Sequence, residues 1–276
     1  MASIERSNCM TSRLARHGLA AALVYLALTS VAGCAGIQVD LRVFSRLGVF
    51  GASAVTAVTA QTPERVIAVE HVTPELVRSQ IEAAVSGLPV RAAKTGMLGS
   101  LSAVRVVAAA ASQPCFPRSL VVDPVLRSTS GAVLLVPEAV TALRHELLPR
   151  ATLCTPNLDE AAALLGASAE STPEGMGRAA RELSRRAGCS VLITGGHLDG
   201  DPVDLLWHRD AARSFPHRRA TGLAARGTGC MLSAAITAHL ALGADLIPAC
   251  ERAVQLVDHA LHDPCVLEGG LRLPGI

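Results

Sequence analysis

The sequence predicts an α/β domain built on a mostly parallel central sheet with helices on both faces. Three observations carry this expectation. Short Val-, Ile- and Thr-rich runs alternate with helical segments at intervals of roughly 25–35 residues, as in repeated β–α units. No Pro/Gly/Ser-rich linker and no internal repeat divides the 276 residues, although length alone would allow roughly two domains. Polar and glycine residues cluster where the strands end, at Gln61, Lys94-Thr95-Gly96-Met97, Asp123-Pro124, Thr155-Pro156-Asn157 and Thr194-Gly195-Gly196. In open α/β sheets ligands bind at the carboxyl ends of the strands.

The first element has two readings. Arg13 and Arg16 precede an apolar run, Leu19 to Leu28, which ends at Val31-Ala32-Gly33-Cys34. A basic start, a short apolar stretch and small residues before a break describe a secretory signal, and the ending resembles a bacterial lipobox with Cys34 as the lipid-modified residue. The same run reads equally as the first, fully buried strand of a parallel sheet. It is too short for a comfortable membrane span. Residues 1–18 are read as an N-terminal extension, disordered in one reading, and 19–276 as the single domain.

Ile37, Leu41, Phe44 and Leu47 keep helical spacing, and Gly48 stops the run. Ala52 to Ala60 reads as a buried strand. Thr73-Pro74-Glu75 supplies an N-cap, a first-turn proline and a first-turn acid for a helix to about Ser86. A short strand at Ala92 to Thr95 precedes a helix from Ser100 to Ala111. Leu120-Val121-Val122 is a strand ending at Asp123-Pro124, and Pro137 opens the next helix. Leu153-Cys154-Thr155 is a strand followed by a helix through Leu165, and Pro173 to Arg186 is helical. Val191-Leu192-Ile193 is a strand, Val203–Trp207 with Arg213–His217 a hairpin. Two apolar helices, near Cys230 to Leu242 and Ile247 to Leu261, close the chain.

Composition narrows the function. Half of the residues are hydrophobic but only 2% aromatic, so Ala, Val and Leu must build the core. Mean hydropathy of +0.39 excludes a disordered chain. Net charge is +2, carried almost wholly by Arg, with Lys94 the only lysine. Few aromatics and no basic block leave nucleic-acid binding without support. Eight cysteines form no C-x-x-C pair and no zinc spacing, and read mostly as small buried hydrophobes.

The segment Gly227-Thr228-Gly229-Cys230 runs straight into a helix. Glycines permit close backbone approach, and free N–H groups at a helix start attract an anion. Cys230 falls in the first turn, where the helix dipole is expected to lower a thiol pKa. The plainer alternative is a glycine-rich loop beside a buried cysteine. Lys94-Thr95 lacks the preceding glycine of a Walker A loop, and neither G-x-S-x-G nor H-E-x-x-H occurs.

Taken together, the sequence resembles the hydroxymethylpyrimidine/phosphomethylpyrimidine kinases of thiamine biosynthesis, within the ribokinase-like superfamily. The matching segments run in family order: Ala35-Gly36-Ile37-Gln38-Val39-Asp40-Leu41, Val58-Thr59-Ala60-Gln61-Thr62, Lys94-Thr95-Gly96-Met97-Leu98, Val122-Asp123-Pro124-Val125, Ser130-Gly131, Thr155-Pro156-Asn157-Leu158-Asp159-Glu160-Ala161, Thr194-Gly195-Gly196-His197 and Gly227-Thr228-Gly229-Cys230. The resemblance implies ATP-dependent phosphorylation of hydroxymethylpyrimidine and of its monophosphate. It implies magnesium as cofactor, a homodimer, no membrane, and a cytoplasmic location in place of lipid anchoring at Cys34. By position it implies that Gln61 bonds the pyrimidine, with Asp40 near the same pocket and Met97 against the ring. Asn157 and Glu160 would hold magnesium and phosphate through water, Asp123 is a second metal candidate, and Thr194 and Gly195 would touch the nucleotide. Gly227, Thr228 and Gly229 would cradle the transferring phosphoryl group while Cys230 takes the hydroxyl proton.

Several of these residues keep a structural reading as well: Asn157 as a helix cap, Glu160 as a surface acid, Asp123 as a turn cap, Gln61 as a loop amide. The chain departs from the family pattern at Ser30, Cys34, Thr129, Arg226 and Gly269-Gly270-Leu271-Arg272. A pyridoxal-type kinase and a non-catalytic pyrimidine-binding relative are the alternative functions.

Overall fold

The computed structural model describes residues 23–30, 35–61, 66–128, 131–168, 170–196, 198, 202–220, 227–266 and 272–276. Among the described residues nine strands form one sheet, in the order β3-β2-β1-β4-β5-β6-β7-β8-β9. They are β1 (Leu23–Ser30), β2 (Gly51–Gln61), β3 (Val66–His71), β4 (Ala92–Thr95), β5 (Ser119–Val122), β6 (Leu153–Cys154), β7 (Ser190–Ile193), β8 (Val203–His208) and β9 (Ala211–Pro216). The six strands from β2 through β1 to β7 are parallel, while β3, β8 and β9 add antiparallel edges. Two further strands, β10 (Cys265–Val266) and β11 (Arg272–Leu273), pair apart from it.

Alternation along the short strands sorts the core into two layers. Ala92, Val121, Leu153 and Leu192 face one way and pack with α1 (Ile37–Arg46), α7 (Thr228–Ala241) and α8 (Leu246–His262). Ala93, Leu120, Val122, Cys154 and Ile193 face the other way. They pack with α2 (Pro74–Gly87), α3 (Leu101–Ala110), α4 (Pro137–Ala142), α5 (Leu158–Leu165) and α6 (Pro173–Ala187). Helix α7 is apolar on nearly every side because it lies between the sheet, α1 and α8.

The expected elements are present with small shifts at their ends, and Thr73, Ser100 and Thr172 each cap a helix through a side-chain oxygen. Of the two readings of the first apolar run, Leu23–Ser30 is a strand, paired with β2 on one side and β4 on the other. Leu19 to Ala22, the 1–18 extension and the Val31-Ala32-Gly33-Cys34 ending lie outside the described residues. Strand β3 was not expected. Its residues are mostly exposed, so no regular buried face marks it, and only its pairing along β2 reveals it. A π-helical turn, Leu143–Leu147, also continues α4 where a plain α-helix was expected.

Candidate active site

The same alternation that sorts the core builds the site. Lys94 shares a face with Ala92, and Asp123 shares one with Val121, so both extend toward α1 and α7 just where those strands end. There Lys94 Nζ lies 3.0 Å from Asp40 Oδ2 of α1 and 3.9 Å from Asp123 Oδ2. Lys94 and Asp40 are wholly buried. Burial alone would lower the Lys94 pKa, but the Asp40 carboxylate, with Cys230 and Asp123, holds it above the ordinary value. Burial raises the Asp123 pKa against the opposing pull of Lys94 and of the Ser233 hydroxyl. Ser233 Oγ stands 2.9 Å from Asp123 Oδ2 and 2.8 Å from the Gly229 carbonyl, so its single proton serves one at a time.

Helix α7 delivers its first turn onto this cluster. Gly227 stands at its N-cap with φ 77, a left-handed conformation that suits glycine, and its carbonyl accepts the Met231 N–H at 2.8 Å. Thr228, Gly229 and Cys230 follow in the first turn of the helix. Cys230 does not behave as the dipole argument expected. Burial pushes its thiol up to about 12, although Lys94 and the backbone N–H of Gly36 pull it down, while Asp40 and Asp123 add to the rise. Removing a thiolate from water costs more here than one helix terminus returns.

Asn157 and Glu160 form a reciprocal capping box on α5. Asn157 Oδ1 accepts the Glu160 N–H at 2.9 Å, and Glu160 Oε2 accepts the Asn157 N–H at 2.9 Å. Glu160 Oε1 also accepts the Leu126 N–H at 3.4 Å. Burial and the nearby Asp123 charge raise the Glu160 pKa to about 8 despite these bonds. Glu160 is therefore not a surface acid. Thr155, one position before Pro156, is buried with a hydroxyl that finds no hydrogen-bond partner among the described residues.

The Asp123 charge opposing ionisation of Glu160, beside a Thr155 hydroxyl without a partner among the described residues, suits a magnesium ion that keeps several waters and binds phosphate. Among the described residues no three His, Cys, Asp or Glu side chains gather into a cage of their own.

Asn157 also bridges to Thr194 at the end of β7, and the Thr194 N–H reaches the Pro156 carbonyl at 3.0 Å. Gly195 follows, its N–H held by Asp204 Oδ1 at 2.9 Å. A Cβ on Gly195 would stand 2.0 Å from the Val203 carbonyl, so no larger residue fits.

The structure thus gathers Asp40, Asp123, Asn157, Glu160, Thr194, Gly195, Gly227, Thr228, Gly229 and Cys230 along one line of strand and helix ends. Gln61 and Met97 lie at the same carboxyl edge of the parallel strands, Gln61 as the last residue of β2 and Met97 two residues past β4. Gln61 ends β2, opposite Val66. Met97 is buried among Ala57, Val69, Val125 and Leu134, and its carbonyl accepts the Thr56 hydroxyl at 2.8 Å. Sequence reasoning quoted Lys94 and Thr155 without a role and assigned none to Ser233. A lone lysine at a strand end in an arginine-rich chain was the available signal. Ser130, His197 and Arg226 lie outside the described residues.

The chain is similar to known kinases in sequence and fold. The family described as phosphomethylpyrimidine kinase matches residues 31–272. A hydroxymethylpyrimidine/phosphomethylpyrimidine kinase from Rhizobium meliloti is 43% identical over 239 residues, 86% of this chain and 89% of that protein. The crystal structure of a phosphomethylpyrimidine kinase from Clostridium difficile superposes with a TM-score of 0.76 at 36% identity, covering 86% of this chain and 97% of that one. An ADP complex of Bacillus subtilis pyridoxal kinase gives 0.83 at 31% identity, covering 92% and 97%.

Proposed function

The chain belongs to the phosphomethylpyrimidine kinase family, and from that premise we infer that it is a phosphotransferase carrying phosphate from ATP to hydroxymethylpyrimidine and to its monophosphate in thiamine biosynthesis. The observation that carries the assignment of roles is the buried Asp40–Lys94–Asp123 cluster set directly under the first turn of α7. Phosphoryl transfer asks for positioning and charge neutralisation, and a backbone anion hole with fixed charges beneath it provides both.

In this reading the N–H groups of Gly227, Thr228 and Gly229 hold the transferring phosphoryl oxygens. Cys230 accepts the proton of the substrate hydroxyl. With a pKa near 12 in the free protein it is a neutral thiol at rest, so it takes a role as base only once substrate and phosphate have entered. Lys94 and the Gly36 N–H are the groups that lower the cost of the thiolate. Asp123 and Glu160, with Asn157, would hold magnesium through water. When bound, the ion neutralises the phosphate charge that Asp123 and Glu160 would otherwise repel. Gln61 bonds the ring edge, Met97 lies against the ring, and Thr194 and Gly195 touch the nucleotide.

A homodimer and a cytoplasmic location belong to the same proposal. Exposed Val58 and Ile67 on the β2–β3 edge support a self-association surface, and the placing of Leu23–Ser30 inside the sheet supports retention of that segment in the folded enzyme. No described helix is long and apolar enough to cross a membrane.

The fold similarity to a pyridoxal kinase makes pyridoxal the second substrate to test. The deciding measurement is ATP consumption with magnesium and either hydroxymethylpyrimidine or pyridoxal. Turnover with the pyrimidine at a much higher kcat/KM supports the assignment. Preference for pyridoxal, or none with either, overturns it.

A further inference from the structure

Three consecutive residues after β9 grip three different parts of the molecule. The His217 Nε2 lies 3.3 Å from Asp204 Oδ1, the same oxygen that receives the Gly195 N–H. Asp204 is buried, and the His217 N–H continues the hairpin by donating to the Pro202 carbonyl at 3.1 Å. Arg218 donates to Asp258 of α8 from its backbone N–H at 3.1 Å and from its guanidinium at 3.2 and 2.9 Å. Arg219 donates to the Gly196 carbonyl at 3.3 Å and to the Leu198 carbonyl as well.

We propose that His217-Arg218-Arg219 is a strap that fixes the shape of the Thr194-Gly195-Gly196 loop for the nucleotide, with Arg219 as the positioning residue. The proposal rests on the reading of Thr194 and Gly195 as nucleotide contacts. The paired Gly195 and Gly196 gain little rigidity from their own backbone, so ordering them on binding costs affinity. The strap removes that cost in advance. Arg218 anchors it to α8 through a forked contact, which fixes where its neighbours stand. His217 steadies the carboxylate that holds the Gly195 N–H. Arg219 occupies two loop carbonyls and so keeps them from turning toward an incoming polyphosphate, where their partial negative charge would repel it. None of the three residues needs to touch the nucleotide.

The test is calorimetric binding of ADP with magnesium to the full chain, beside its binding of hydroxymethylpyrimidine and its thermal stability. Arg219→Ala should weaken ADP about tenfold, the scale of one lost preorganising contact. Hydroxymethylpyrimidine binding and kcat at saturating ATP should stay within about twofold, since the loop's role is uniform binding. Arg219→Lys should fall between, because an ammonium lacks the planar fork that spans two carbonyls. Thr194→Val serves as the direct loop variant. If it weakens ADP while Arg219→Ala does not, the strap is purely structural and the proposal fails. If neither weakens ADP, the reading of the loop as the nucleotide site fails instead. Should Arg219→Ala not fold, Arg219→Lys decides, and wild-type ADP affinity in that protein overturns the proposal.

Discussion

Replacing Lys94 by methionine keeps the length of the side chain and removes its charge. Asp40 would then be a buried carboxylate without its 3.0 Å partner. Breaking a buried pair from one side costs about 3–5 kcal/mol, so Lys94→Met should lower the midpoint of urea unfolding markedly. The double variant Lys94→Met with Asp40→Leu should recover much of that stability and none of the activity. A double variant no more stable than the single one would mean the pair's burial is not what Lys94 contributes. At Cys230 the raised pKa makes a chemical prediction. Iodoacetamide should label Cys115 and Cys265, both exposed, well before Cys230 at pH 7, as mapped by peptide mass spectrometry. Rapid labelling of Cys230 would show a resting thiolate. Cys230→Ser should bind ADP normally and lose about 10²- to 10⁴-fold in kcat, the usual weight of a general base. The residues of the site were legible as types, but their charge states were not. Asp40 lies 54 positions from Lys94, and nothing local in the chain announces that the two meet without water between them.

At the scale of elements, α5 is held at both ends. Its start is closed by the Asn157–Glu160 box, and its last carbonyls, on Leu164 and Leu165, accept from Arg144 at 3.1 Å and Arg186 at 2.9 Å. The cationic ends suit the helix dipole at its C-terminus. Asn157 is therefore a cap and a candidate ligand together, and the two roles separate by measurement. Asn157→Asp keeps a capping oxygen, whereas Asn157→Ala loses the cap at a cost of about 1 kcal/mol. Both should raise the KM for magnesium-ATP, while thermal melting should show instability in the alanine protein alone. Equal melting of the two would deny the cap its share. Most elements were readable because their signals are local: a cap before a helix, a proline in its first turn, a glycine after it. Strand β3 was not, since its backbone pairing lies across a hairpin at a sheet edge and its mostly exposed residues carry no regular buried face.

Over the whole molecule, stability should depend on pH in an unusual direction. A carboxyl whose folded pKa is raised binds its proton more tightly folded than unfolded, so stability falls as pH rises between the two values. For Glu160 that window runs from about 4.5 to about 8, and the raised Asp123 acts in the same sense. Thermal melts of the ligand-free protein should decline from pH 5 to pH 8, and Glu160→Gln should flatten the decline. Adding magnesium and ADP should restore stability most at the alkaline end, where Glu160 gives up its proton. A profile unchanged by Glu160→Gln would place the effect elsewhere. The fold class was legible because layer order follows from β–α alternation. The convergence of Lys94, Asp123 and Glu160 was not, because it depends on which face each strand end presents.

The place of β1 carries a cost in biosynthesis. Its eight residues are made before the other described strands, but Leu23 must pair with both Gly51 and Ala92. Parallel partners cannot be met through a tight turn. At about 5–20 residues per second, β4 emerges several seconds after β1. Through that interval an apolar ribbon with two open edges waits beside the ribosome, a template for joining another chain. The enzyme should therefore accumulate in inclusion bodies when translation is fast and chaperones are scarce, and become soluble when expression is slowed or cooled. In its cell of origin, the demand on holdases should fall on the stretch from β1 to β4 as it leaves the exit tunnel.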